Sequence, residues 1–390
     1  MIRKQCRICN GESVELLLDF GKQPIVHHLQ YEPNVEVPLY PFELGVCTEC
    51  LFLQLLQPID PDILYQNYFT LSSWKNQPHA KRLIEVMKAL AGLCESCSIL
   101  EVGCNDGSFM QMLLDEGVQD LIGVEPTKDS NQIAQSLELK IINDFFGPHL
   151  LSELGNNRFD LVISRQVLEH VIDLHDFLST IRQVLKDDGT LVIEIPDSQW
   201  NLEQLDYALW EEHVNYFTLN TAKQLLSRNG FKVIHHEVTL FSGRALTIFA
   251  EKTESSEMKW KNDNEVQLIQ NYQNKFDYVR DSFRDALSKK NNVYIYGCGA
   301  RSSTFLNFIQ PPNVVGFVDD QSEKQLHYLP NTNIQILPYD KADKNAFFLL
   351  GVNTENESKV VKKRGLNSEN FYSILPPSKN LPNFWKNLIL

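Results

Sequence analysis

The sequence predicts an α/β chain: a central doubly wound sheet, a small cysteine-rich module before it and a second nucleotide-fold α/β unit after it. Three observations predict this. Between residues 98 and 250 short apolar runs alternate with helical patterns, as strands alternate with crossover helices. Two C-x-x-C pairs, Cys6/Cys9 and Cys47/Cys50, fall within the first 58 residues. From Val293 the run VYIYGCGARSSTFLNFI restarts the order strand, glycine turn, helix. At 390 residues the chain exceeds a usual single domain. The expected division is 1–60, 61–250 with a helical lead-in, a linker and docking helix over 251–290, and 291–390.

Residues 1–60 hold the cysteine pairs in knuckle-like settings, CRICNG and GVCTECLF. In a chain expected to be cytosolic, cysteines at this spacing read as metal ligands before disulfides. Cys6, Cys9, Cys47 and Cys50 would supply four thiolates to a closed tetrahedral Zn2+ site. Such a metal is structural and gives a small module the folding energy it otherwise lacks. The other reading is four unrelated thiols. His27 and His28, in the loop between the pairs, read as loop or interface residues rather than ligands.

Residues 59–97 read as helical, with Leu83, Val86 and Leu90 on one stripe. The stretch YQNYFTLSSW, which contains Tyr68, is either a packed connector or a lid. Cys94 and Cys97 form a third C-x-x-C without a second pair, and read as buried or partly buried free thiols.

Strands are expected at Ile99–Val102, Leu121–Val124, Lys140–Ile142, Asp160–Ser164, Leu191–Ile195, Lys232–His236 and Leu246–Ala250. The helical pattern DLHDFLSTIRQVL opens with Asp173 as its cap and is expected to stop at a turn over Asp187–Gly189. Ligands of such a sheet bind at the carboxyl ends of the strands. That rim holds Glu101, Glu125, Asp144, Phe145, Ser164, Gln166 and the run Glu194–Asp197.

The rim's centre is ILEVGCNDGSF, a strand that ends on Glu101, turns through Gly103, Asn105, Asp106 and Gly107, and enters a helix. Backbone N–H groups and a helix start would face a ligand there. A second strand, LIGV, ends on Glu125, where a carboxylate can take both hydroxyls of a ribose. The turn has neither the GxGxxG spacing of a dinucleotide site nor a phosphate-loop lysine. S-adenosylmethionine, a nucleoside without phosphate, fits: Glu101 for its ammonium, Glu125 for its ribose. The stretch resembles the first two motifs of class I S-adenosylmethionine-dependent methyltransferases, with Asn105 where many members carry glycine.

Two histidines follow acids at strand ends, Glu169–His170 in RQVLEHV and Glu212–His213 in LWEEHVNYF. Imidazole accepts protons near neutral pH, and an adjacent carboxylate can orient it. A carbon alpha to a carbonyl must lose a proton before it can attack an activated methyl, so C-methylation needs such a base. The alternative is that both histidines only bond backbone. Arg244 either holds a substrate phosphate or pairs with an acid.

In residues 251–290 a polar linker precedes a helix whose stripe, Ile269, Tyr272, Phe276, Val279, Phe283 and Leu287, reads as core. The glycine turn of 291–390 lacks a third glycine, with Ser303 near its place. It could hold a dinucleotide, touch a phosphorylated or nucleotide-linked substrate, or serve as scaffold. A net charge of −14 argues against nucleic acid or an anionic membrane as the main partner. No apolar run approaches the ~20 residues that span a bilayer, and MIRKQCRIC does not read as a signal peptide, so a cytoplasmic location is expected.

With these residues assembled, the whole chain resembles the sugar C-methyltransferase family. The knuckles, EVGCNDGSF, GVEPT, VLEHVIDLHDF, EEHVNYFT, YGCGARSSTFL and FVDDQSEKQLHYLP look like its motifs in the right order. The resemblance implies a four-cysteine zinc domain, a class I (Rossmann-like) methyltransferase domain and a C-terminal Rossmann-like domain. It implies S-adenosylmethionine as cofactor and a nucleotide-linked keto-deoxysugar as substrate, methylated on carbon. His213 would be the base, Glu212 its orienting group, and His170 would sit near the sugar keto oxygen or the departing proton. Tyr68, Trp210, Tyr216, Arg244 and Arg301 would face the substrate. The chain reads Trp210–Glu211–Glu212–His213 where members read Y-H-E-H, and Thr70 replaces the second tyrosine of Y-P-Y-x-S-S. An O- or N-methyltransferase of another small metabolite, or a non-catalytic binding protein, would share the architecture. The oligomer is expected to be a monomer or homodimer.

Overall fold

The computed structural model describes residues 5–64, 79–154, 159–207, 210–241, 243–254, 262–376 and 378–383. Its strands are β1 (Val14–Gln23), β2 (Tyr40–Cys47), β3 (Leu53–Leu55), β4 (Ser98–Val102), β5 (Asp120–Val124), β6 (Ile141–Ile142), β7 (Phe159–Arg165) and β8 (Leu185–Pro196). There follow β9 (Asn215–Tyr216), β10 (Phe231–Leu240), β11 (Arg244–Lys252), β12 (Val293–Tyr296), β13 (Val314–Val318), β14 (Ile336–Leu337), β15 (Phe347–Leu350) and β16 (Phe371–Ser373).

The central sheet has the order β10-β11-β8-β7-β4-β5-β6. β6, β5, β4, β7 and β8 are parallel, and β11 runs antiparallel between β8 and β10. Each of the seven apolar runs is a strand. Ile99, Leu100, Leu161, Val162, Leu191 and Val192 are all 0% exposed, as strands covered on both faces must be. The chain turns opposite ways from β4 and β7, so their carboxyl ends flank a crevice at the topological switch point. This is the class I methyltransferase-like fold expected for the centre of the chain.

Asp173 caps the helix Leu174–Val184 as expected, its Oδ1 accepting from Asp176 N at 3.0 Å. The expected turn at Asp187–Gly189 is instead inside β8. Pairing with β7 jumps from Phe159↔Leu185 to Leu161↔Thr190, and the intervening residues form a bulge. In the lead-in, the structure holds the helices Pro61–Leu64 and His79–Leu90. Leu83 and Val86 are buried, but Leu90, on the last turn, is 44% exposed. Tyr68 and its neighbours lie outside the described residues. Cys94 and Cys97 are not free thiols: they are joined by a disulfide in the turn before β4.

The amino-terminal sheet, β1-β2-β3-β9, is antiparallel, and its last strand comes from far along the chain: Leu53 pairs with Tyr216 and Gln54 with Asn215. The carboxyl-terminal sheet, β14-β13-β12-β15-β16, is wholly parallel. Between them lies the helix Asp263–Ser288, whose six-residue stripe is no more than 5% exposed. Phe20 of β1 meets Phe276 and Phe308 at ring separations of 5.3 and 4.9 Å. One apolar cluster therefore joins the amino-terminal sheet, this helix and the carboxyl-terminal unit. Much of the polar linker before the helix lies outside the described residues. Among the described residues no helix is long and apolar enough to cross a membrane.

Candidate active site

The turn after β4 is built from residues that tolerate a left-handed backbone. Gly103 has φ 74° and Gly107 φ 77°; a Cβ on Gly103 would fall 2.3 Å from Val167 Cγ2. Asn105, at φ 50°, is the residue type after glycine that best adopts this conformation, which explains how it stands in a glycine's place. Its N–H donates to Glu125 Oε2 at 2.9 Å, so the turn and the acid ending β5 are tied together. Thr127 N donates to the other oxygen at 2.8 Å. Asp106 Oδ1 accepts from Ser108 N and Oγ and closes the turn onto the next helix.

Glu101 is 2% exposed and its Oε2 has no hydrogen-bond partner among the described residues. Burial pushes its carboxyl up to about 8, against the pull of Arg165. Such a group is complementary to a cation brought by a ligand. Arg165, over the ring of Phe109, faces Glu194 at the end of β8. Burial favours the neutral form of Glu194, but Arg165 and His79 outweigh it and hold the carboxyl down to about 2.

A cavity of about 600 Å³ runs from this turn to the loop before β9. Glu101, Gly103, Asn105, Asp106, Glu125, Phe145 and Gln166 line one end, and His170, Trp210, Glu212, His213, Tyr216 and Arg244 line the other. Three expected residues stand apart. Asp144 is half exposed beside His149. Ser164 is buried within β7. Arg301 is buried in an ion pair with Asp206, away from the cavity wall.

His213 packs on Trp210 at a ring separation of 3.8 Å and meets His170 edge-on at 4.8 Å. Burial, reinforced by His170, drives its pKa well below 6.5, so it is a neutral imidazole at pH 7. His170 Nδ1 donates to the Glu212 carbonyl at 2.9 Å, which leaves Nε2 as the acceptor nitrogen. The Glu212 carboxylate lies 3.2 Å from His27 Nδ1, on the amino-terminal module. Burial opposes the charge on His27, but Glu212 and then Glu211 outweigh it and raise its pKa. Glu211 also accepts from Val26 N at 2.7 Å. His27 is thus an interface residue, and only the folded loop reveals its partner 185 positions away. Arg244 pairs with Asp197 at 2.6 Å while lining the cavity.

The four cysteines of the two C-x-x-C pairs converge on one another. Their sulfurs lie within 4.8 Å of one another, with Cys6–Cys50 at 3.5 Å and Cys9–Cys47 at 3.6 Å. A tetrahedral Zn–S4 centre, with bonds of ~2.3 Å, sets sulfurs about 3.8 Å apart, so the donor set and its spacing fit Zn2+.

Comparison with known proteins follows the same three-part order. Residues 6–65 match a family described as a zinc binding domain, 73–236 a methyltransferase domain, and 250–358 a C-methyltransferase C-terminal domain. The C-methyltransferase NovU of Streptomyces niveus is 24% identical over 253 residues, covering 63% of this chain and 60% of the relative. The mitochondrial ubiquinone biosynthesis O-methyltransferase of Homo sapiens is 31% identical over 160 residues, 35% of this chain and 41% of that one. The chain thus spans 60% and 41% of the lengths of these two relatives. Among solved structures, the PH0226 protein of Pyrococcus horikoshii aligns at TM-score 0.39 and 18% identity, over 48% of this chain and 98% of its own. The three domain matches thus follow one another along the chain in the order zinc binding, methyltransferase and C-methyltransferase C-terminal.

Proposed function

We propose that the chain is an S-adenosylmethionine-dependent C-methyltransferase acting on a nucleotide-linked keto-deoxysugar. The observation that carries this reading is the single cavity with a cation-seeking carboxyl and a ribose-type acid at one end and a neutral buried imidazole at the other. Glu101 would take the cofactor's ammonium and Glu125 a ribose hydroxyl, with Asn105 N holding Glu125 in place. Phe145 and Gln166 would flank it. When bound, the cofactor supplies an electrophilic methyl group. His213 removes the proton alpha to the substrate ketone, and the resulting carbanion-like carbon is the nucleophile. A neutral base is essential here, since an imidazolium cannot accept the proton. Desolvation and positioning supply much of the rate, because the methyl donor is already activated. The helix Ala300–Ile309 begins at the cavity, and its amino-terminal dipole favours an anionic nucleotide end.

The test is titration calorimetry of zinc-replete protein with S-adenosylhomocysteine and then dTDP, followed by turnover of a dTDP-4-keto-deoxysugar deuterated at the alpha carbon. Binding of both ligands, with deuterium lost as methyl is gained, is the expected result. Methylation without deuterium loss would make the enzyme an O- or N-methyltransferase, and no cofactor binding would overturn both.

A further inference from the structure

Glu169 enters neither the expected cofactor contacts nor the expected base pair, yet it lines the cavity beside the two histidines. It is 1% exposed, and neither carboxyl oxygen has a hydrogen-bond partner among the described residues. Its backbone carbonyl accepts from Val214 N at 2.8 Å, which fixes it to the loop that carries His213. An oxygen of Glu169 and ring nitrogens of His170 and His213 all lie within 4.8 Å of one another. In a ketone the oxygen and the alpha carbon are about 2.4 Å apart, so a donor and a base at this spacing can bracket that unit.

We propose that Glu169 is a catalytic acid, whose protonated carboxyl donates a hydrogen bond to the substrate's carbonyl oxygen while His213 removes the adjacent proton. The proposal rests on the C-methyltransferase reading. The surroundings keep the carboxyl neutral. Burial raises its pKa to about 8, and the acids Glu194 and Glu212 push the same way. The cations nearby are committed elsewhere, Arg165 and His79 to Glu194 and His27 to Glu212. His170 and His213 are themselves held neutral by burial.

The balance is simple. The C–H electron pair moves to the carbonyl oxygen as His213 becomes imidazolium, and Glu169 stabilises the enolate without giving up its proton. The enolate oxygen's pair would then re-form the C=O bond while the alpha carbon's pair bonds to the methyl group, the S–CH3 pair staying on sulfur as the cofactor leaves as a neutral thioether; His213 then releases its proton to solvent. A buried acid kept neutral to stabilise an enolate is a known solution to this problem.

The experiment uses the full zinc-loaded chain with E169L and E169Q. Wild type minus E169Q infrared difference spectra at pH 7 should show the C=O stretch of a protonated carboxylic acid. E169L should bind S-adenosylhomocysteine as wild type does, which certifies its fold, and lose about 10²–10³-fold in kcat with KM little changed, as removal of an oxyanion donor does. E169Q, which keeps an N–H donor, should recover much of that loss and lack the fall of kcat above pH 8. An absent acid band, a wild-type kcat in E169L, or a second stoichiometric metal bound by Glu169 would overturn the assignment. If wild-type protein neither exchanges the alpha proton nor methylates any keto sugar nucleotide, it is the underlying reading that fails.

Discussion

Replacing Arg301 by alanine should damage stability rather than substrate binding. Its guanidinium pairs with Asp206, and the two side chains are 8% and 0% exposed. Asp206 is also a junction: its Oδ2 accepts from Asn201 Nδ2 at 3.0 Å and its carbonyl from the Tyr272 hydroxyl at 2.8 Å. Truncating the arginine strands a carboxylate with no access to water. Breaking one partner of such a buried pair costs about 3–5 kcal/mol, which is two to nearly four orders of magnitude in the unfolding equilibrium. Replacing both partners by apolar side chains, D206L with R301M, should restore most of it, because no charge is left buried. Urea unfolding followed by circular dichroism measures all four corners of the cycle. If R301A lies within about 1 kcal/mol of wild type, or if it weakens nucleotide binding with an unchanged midpoint, the buried-pair reasoning is refuted and Arg301 returns to the substrate.

Glu101 makes cofactor binding a proton-linked event. With its pKa raised to about 8 the carboxyl is mostly protonated at pH 7, so an incoming ammonium should expel a proton and affinity should rise as pH approaches 8. Calorimetry in buffers of different ionisation enthalpy should show this release in wild type and none in E101Q; equal release in both would refute it. In the free protein the same group, with Glu169, has a folded pKa above its unfolded value. Their contribution to stability is therefore full below about 4.5 and lost as pH rises through about 8, a trend that thermal melts of E101Q should flatten. Cys47→Ser should abolish stoichiometric zinc by elemental analysis. It should also lower kcat, since the zinc module carries His27, the partner of Glu212.

Much of this was legible in the sequence because the signals are local. The apolar runs of the central sheet, the stripe of the docking helix and the Asp173 cap depend on residues within a few positions of one another. The glycine turn was legible for the same reason, and the structure adds that Asn105, in a glycine's place, takes a left-handed conformation. Contacts across long separations were not. Glu212 stands next to His213 in sequence, but a tight turn sends its carboxylate to a histidine on the amino-terminal module. Arg301, expected to face the substrate, pairs instead with the buried Asp206. The turn at Asp187–Gly189 carries ordinary turn residues, and only the neighbouring strand shows that they form a bulge. The Cys94–Cys97 pairing likewise depends on a backbone conformation that spacing alone does not specify.

The pairing of β3 with β9 has a consequence for anyone who would cut or recombine this protein. The amino-terminal sheet borrows its final strand from the segment that carries His213, two residues before Asn215. A fragment ending before residue 200 would expose the backbone edge of β3, and a fragment starting after residue 60 would leave the His213 segment without the ladder that fixes it. Chimeras between relatives should therefore exchange the knuckles together with residues 210–217, as one unit of inheritance split across the chain.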